Sequence, residues 1–152
     1  MMTSPRTLLI PAALAVTLLG GALACGSLDP GRESGSRRTA VWVYAEDGWT
    51  DTGFEVEPGD DVVIKVLSGE WSPWPEESFD ALGSGGDPRC DCNVLAGVSH
   101  AALIGRIGDG RPFLVGAQYH HAVGEDGRLY LGINDTRLED NSGRLRVRVR
   151  VD

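Results

Sequence analysis

Residues 128–152 read RLYLGINDTRLEDNSGRLRVRVRVD. In the closing stretch Leu145, Val147, Val149 and Val151 alternate with Arg144, Arg146, Arg148 and Arg150. Successive side chains of a strand point to opposite faces, so this period of two separates an apolar face from a cationic one. A strand with one face in a core and the other in water has this pattern. Leu129, Leu131 and Ile133 repeat the spacing just upstream and predict a second strand. The four arginines read as a solvated outer face balanced by nearby acids.

Further upstream the texture is the same. AALIGRIGDGRPFLVGAQYHHAV, residues 101–123, predicts short strands around a Gly108-Asp109-Gly110 turn. Val62, Ile64 and Val66 alternate with Val63, Lys65 and Leu67 after a Pro58-Gly59 turn signal, and VWVYA at 41–45 is β-branched and aromatic. No segment after residue 24 sustains a helical period. The expectation is an all-β fold, a sandwich or jelly roll, over residues 41–152.

The start of the chain reads as an address. Arg6 precedes a 17-residue apolar run from Leu8 to Ala24, broken by Pro11, Gly20 and Gly21, which predicts a secretory signal over residues 1–24. GALAC, residues 21–25, offers Ala22-x-Ala24 to an ordinary signal peptidase and resembles a lipobox ending at Cys25, with Ala22 where leucine is usual. Lipidation of Cys25 and export to the cell envelope are the expectation; secretion without an anchor is the alternative. Residues 25–40, rich in Gly, Ser and charge, read as a flexible linker.

Charge and motifs narrow the function. Twenty-two acids oppose 14 Lys and Arg, for a net charge of −8. Duplex nucleic acid requires a basic face to displace counterions, and this balance argues against it as a partner and against an anionic membrane surface. The adjacent pairs Asp60-Asp61 and Glu76-Glu77 read as solvated loops rather than as glycosidase carboxylates facing each other across a cleft. Nucleophile-elbow, zinc-protease and phosphate-loop motifs are absent from the sequence. The reading is a non-enzymatic domain. His120 and His121, adjacent on a predicted strand, point to opposite faces, one partly buried and one exposed, and form no dyad. Cys90 and Cys92 admit a disulfide, a reduced pair or soft-metal ligands; in an exported chain the simplest outcome is a disulfide.

The densest oxygen cluster is GINDTRLEDNSG, residues 132–143, with Asn134, Asp135, Glu139, Asp140, Asn141 and Ser142 between two strands. Calcium takes roughly six to eight oxygens from carboxylates, amides and main-chain carbonyls, and Asp135, Asp140 and Asn141 could close around one ion. A polar hairpin uses the same residue types for backbone reasons alone. Trp71, in register with the strand before it, reads as core; Trp74, between Pro73 and Pro75, reads as a loop residue.

Three segments together carry a resemblance: WTDTGFEVEPGDDVVIKVLSGEW (49–71), LIGRIGDGRPFLVG (103–116) and GRLYLGINDTRLEDNSGRLRV (127–147). The pattern resembles the PA-IL-like calcium-dependent bacterial lectins, whose best-known members bind galactose, and implies their fold, a small jelly-roll-like β-sandwich of the galactose-binding-domain-like kind. The resemblance implies a Ca2+ ion held by the side chains of Asp135, Asp140 and Asn141 and by main-chain oxygens of Trp74 and a residue near Leu138. It implies a glycan, galactose-like or other, that supplies two neighbouring hydroxyls to the ion. Trp74, Asp87, Asp135, Thr136 and Asn141 would line the sugar, and the domain could form homo-oligomers. Two departures stand out. The loop is shorter than in the galactose lectin, with Asp140 in place of Asn. Asp87-Pro88 also falls where that lectin has its sugar-selecting histidine, so sugar identity does not carry over. The alternative is a structural or protein-interaction sandwich that binds calcium for stability only, or not at all.

Overall fold

The computed structural model describes residues 35–85 and 91–152. The leader, Cys25, most of the linker, Asp87 and Cys90 lie outside the described residues. In chain order the strands are β1 (Arg37–Tyr44), β2 (Trp49–Val56), β3 (Asp61–Trp74), β4 (Glu77–Phe79), β5 (Leu103–Ile107), β6 (Phe113–Leu114), β7 (Gln118–Ala122), β8 (Gly127–Ile133) and β9 (Ser142–Val151). A single 3-10 turn, Ala45–Asp47, joins β1 to β2, and the described residues contain no α-helix. β1 therefore begins inside the stretch read as linker and takes in its last four residues, Arg37 to Ala40.

The strands form two antiparallel sheets. One runs β1-β9-β3-β4 with β7 also on β3; the other runs β2-β8-β5-β6. β9 pairs with β3 from Val62 to Ser72, so β7 and β4 share β3's opposite edge, one at each end. The all-β sandwich expected from the sequence is the architecture observed.

β9 is where the alternation acts most clearly. Leu145, Val147 and Val149 are fully buried and Val151 nearly so; they meet Val43, Val62, Ile64 and Trp71 within their own layer and Leu129, Leu131 and Ile133 of the facing one. Each such side chain removed from water contributes roughly 1.5–3 kcal/mol. On the solvent side the arginines are not balanced by acids alone. The Arg144 guanidinium lies 4.3 Å from the Trp42 ring centroid and that of Arg146 5.0 Å from it, because β1 places Trp42 and Tyr44 beside β9. On the second sheet Arg128 clamps β8 to β2 through Asp51, with Nε 2.8 Å from Oδ1. That hydrogen bond holds the Asp51 carboxyl below the usual carboxylate range.

Two expectations need correcting. His120 and His121 are both exposed, because β7 is a short strand pairing only with β3. Trp74 ends β3 rather than sitting in a loop, and Pro73 before it is buried. A proline removes one ladder donor, but Pro73 lies beyond the last β3–β9 pair, Ser72 with Ser142, so no bond to β9 is lost.

Trp71 is core, as its register predicted, and its Nε1–H donates to the Ala101 carbonyl at 2.9 Å. Trp71→Phe keeps the aromatic filling but leaves that carbonyl without its donor. The expected loss is about 2 kcal/mol, read as a lower urea midpoint at unchanged slope.

Candidate functional site

The β8–β9 connection starts where the ladder between β5 and β8 runs out. Leu103 pairs with Ile133, and Asn134 extends the contact by one step: its N–H donates to Ala102 O at 2.9 Å and its carbonyl accepts from Ala101 N at 3.2 Å. Glycines frame this corner. A Cβ on Gly132 would collide with the Gly48 carbonyl, and Gly143, at φ +86°, turns the chain back into β9 against Glu70.

Asn134 is fully buried and spends its whole carboxamide on one segment. Its Oδ1 accepts Leu95 N–H at 2.7 Å, while Nδ2 donates to the carbonyls of Leu95, Val98 and Ser99 at 3.2, 3.3 and 3.1 Å. Thr136 N–H adds a 2.7 Å bond to the Cys92 carbonyl. The irregular stretch 92–102, with few strand bonds of its own, is thereby fixed to the start of the acidic loop.

Asp135 is buried. Its Oδ1 accepts Arg137 N–H at 2.8 Å, a local turn that points the carboxylate inward, and His100 Nε2 lies 3.7 Å from Oδ2. At the far end of the loop Asn141 is buried too, and its Nδ2 donates to Ala45 O at 3.3 Å. That bond fixes the orientation of the amide, since an oxygen there would face a carbonyl. Its Oδ1 is left buried with no hydrogen-bond partner. Between these ends Thr136, Glu139 and Asp140 are exposed, while Leu138 packs partly on the core and its carbonyl accepts Asn141 N–H at 3.2 Å.

Trp74 is tied to this loop through a residue that sequence reasoning passed over. Its ring stacks on His100, centroids 5.3 Å apart and planes 2° from parallel, and meets Phe79 edge-on. His100 is buried; its Nδ1 bonds Asn93 Oδ1 at 2.9 Å, and its Nε2 faces Asp135. The run Trp74, His100, Asp135 thus joins the end of β3 to the acidic loop. No motif or spacing rule in the sequence selects His100 for this place.

Cys92, His100 and Asp135 place one donor atom each within 4.8 Å of one another, all buried. Cys92 is disulfide-bonded, and its Sγ lies 3.9 Å from His100 Nδ1. A disulfide sulfur is neither a thiolate ligand nor a nucleophile. A transition-metal or Cys-His-Asp catalytic reading therefore does not describe this form of the chain. Cys90, the expected partner of Cys92, and Asp87, an expected sugar contact, lie outside the described residues.

The oxygen-donor set suits a hard cation. A carboxylate and an amide oxygen, both buried and one without any partner, suit an ion such as Ca2+ that takes only oxygen ligands. No family model matches the chain, and no curated protein matches it by sequence. Among solved structures it is similar to the N-terminal domain of EclA, described as a PllA-like lectin. The TM-score is 0.56 at 21% identity, covering 74% of this chain and 95% of that one. The two chains share a fold, the β-sandwich expected from the sequence.

Proposed function

We propose that the domain is a calcium-dependent carbohydrate-binding module of an exported, lipid-anchored envelope protein, with binding rather than catalysis as its role. The observation that carries the calcium reading is Asn141 Oδ1, a buried acceptor facing no donor in a loop that also buries the Asp135 carboxylate. Leaving such an oxygen unsatisfied costs about 1–3 kcal/mol, a cost that a bound cation removes. The side chains of Asp135, Asp140 and Asn141 would hold the ion with main-chain oxygens of Trp74 and Leu138. The lectin-type fold and the lectin named as its structural neighbour support the carbohydrate half of the reading. A bound ion with open positions supplies direct coordination to sugar hydroxyls, which compete poorly with water as plain hydrogen-bond partners.

This chain's own residues then shape the seat. Trp74, half-buried and stacked on His100, offers an apolar ring edge beside the loop. Thr136, exposed on the loop, would contact the sugar, and so would Asp87. Cys25 carries the anchor.

The test is a glycan array on the mature chain, with calcium and then with chelator. Binding that appears with calcium and disappears with chelator is the expected result; binding indifferent to chelator would overturn the mechanism. An array that is blank in calcium, beside a melting temperature raised by calcium, would select the structural alternative.

A further inference from the structure

The solvent side of the β1-β9-β3 sheet gathers six of the chain's 14 Lys and Arg: Arg38, Lys65, Arg144, Arg146, Arg148 and Arg150. The register sets them side by side. Arg148 lies opposite Lys65, and Arg38 lies opposite Arg150. Like charges placed directly across from one another destabilise a sheet. The acids of this face stand toward its ends, Glu70 opposite Arg144 and Asp152 2.9 Å from Arg150. Among the described residues, Lys65, Arg146 and Arg148 in the middle have no ion pair.

The guanidiniums are also preset. Arg144 and Arg146 lie over the Trp42 ring, and Arg144 Nη1 donates to the Tyr44 hydroxyl at 3.0 Å. Stacking of this kind removes side-chain freedom before any ligand arrives. The row from Arg144 to Arg150 is about 20 Å long, with one guanidinium every ~7 Å. Arginine is the side chain suited to gripping phosphate through a planar fork.

We propose that this sheet face docks on an anionic phospholipid surface, with the arginines on lipid phosphates and Trp42 and Tyr44 at the headgroup level. The face is a broad sheet surface rather than a groove, so it fits a charged plane better than a single chain. The net charge of −8 does not prevent this, since charges more than about 8 Å from the membrane are largely screened at physiological salt. The inference extends the anchor reading. β1 is the edge strand of this same sheet and begins twelve positions after Cys25, a reach of about 40 Å at full extension. An acyl anchor combined with a basic patch gives the two signals that stable membrane attachment needs.

The experiment uses the chain from residue 25 with Cys25→Ser, which carries no acyl group, so the face is tested apart from the anchor. Co-sedimentation is measured with vesicles of phosphatidylcholine alone and with about 30% phosphatidylglycerol. The expected result is binding to the anionic vesicles only, lost between about 0.05 and 0.5 M salt. Arg148→Glu is expected to weaken it at least tenfold, whereas Arg111→Glu, the same charge change away from this face, leaves it within about twofold. Should Arg148→Glu unfold the chain by circular dichroism, Arg148→Gln with Lys65→Gln replaces it and is expected to give the same loss. The proposal is overturned if anionic vesicles bind no better than neutral ones, if Arg111→Glu is as damaging as Arg148→Glu, or if soluble dextran sulfate binds while vesicles do not. Acylation at Cys25 is read separately, by incorporation of a palmitate analogue, so its failure is distinguishable from failure of the face.

Discussion

Calcium at about a hundred times its dissociation constant is expected to stabilise the chain by about 2.7 kcal/mol, and Asp135→Asn to abolish that gain. For a domain of this size the gain corresponds to a rise of roughly 10 °C in melting temperature. The substitution is chosen for what it preserves. Asn keeps an oxygen for Arg137 N–H, which bonds Asp135 Oδ1 at 2.8 Å, and nearly the same volume in a buried position. The variant without calcium should therefore stay within about 1 kcal/mol of the parent, and the difference should emerge only on adding the ion. Asn141→Leu makes a complementary case. It deletes the partnerless Oδ1 together with the bond from Nδ2 to Ala45 O. Calcium stabilisation should be lost there as well, with a smaller cost in apo stability than removal of a satisfied amide would bring. A parent chain that calcium does not stabilise, or an Asp135→Asn chain that it stabilises fully, would show that this loop holds no ion.

How much of this was open to sequence reading follows from the range of the interactions. The β9 alternation is a local property, one residue in and one residue out, and it gave strand, face and core at once. The acidic loop was visible for the same reason, as a run of oxygen-bearing residues between two apolar periods. At Trp74 two flanking prolines speak for a loop, whereas the β4 hairpin extends β3 past its last bond to β9. Composition points the outer arginines to acids, because it reports how many acids a chain has and not which side chain stands across the ladder. Trp42 and Tyr44 arrive there from about a hundred residues away, through the pairing of β1 with β9. His100 had no readable role for a similar reason. Its stack on Trp74 and its approach to Asp135 join three segments that no period or motif connects.

The same distance in sequence hid Asn134, whose replacement should have the largest effect on stability. It reads as one more turn residue, yet it bonds three backbone carbonyls and one N–H in the segment 95–99. Asn134→Ala strands all four groups, partly relieved by water entering the space. The expected loss is about 3 kcal/mol, or roughly 12 °C in melting temperature. Calcium affinity should fall about tenfold, since the loop then enters the bound state without a fixed first residue. Asn134→Asp separates this account from simple space filling. Asp has the shape of Asn, so a packing role predicts that it is the milder change. The hydrogen-bond role predicts the opposite, because a buried carboxylate would face three carbonyl oxygens with no proton to offer them. Asn134→Asp is therefore expected to be at least as destabilising as Asn134→Ala at neutral pH. Acidification should bring it closer to the parent, as protonation removes the charge and supplies one donor. Urea titrations of both variants at two pH values would decide between the roles, and a stable Asn134→Asp chain at neutral pH would mean that the loop is held by something other than this amide.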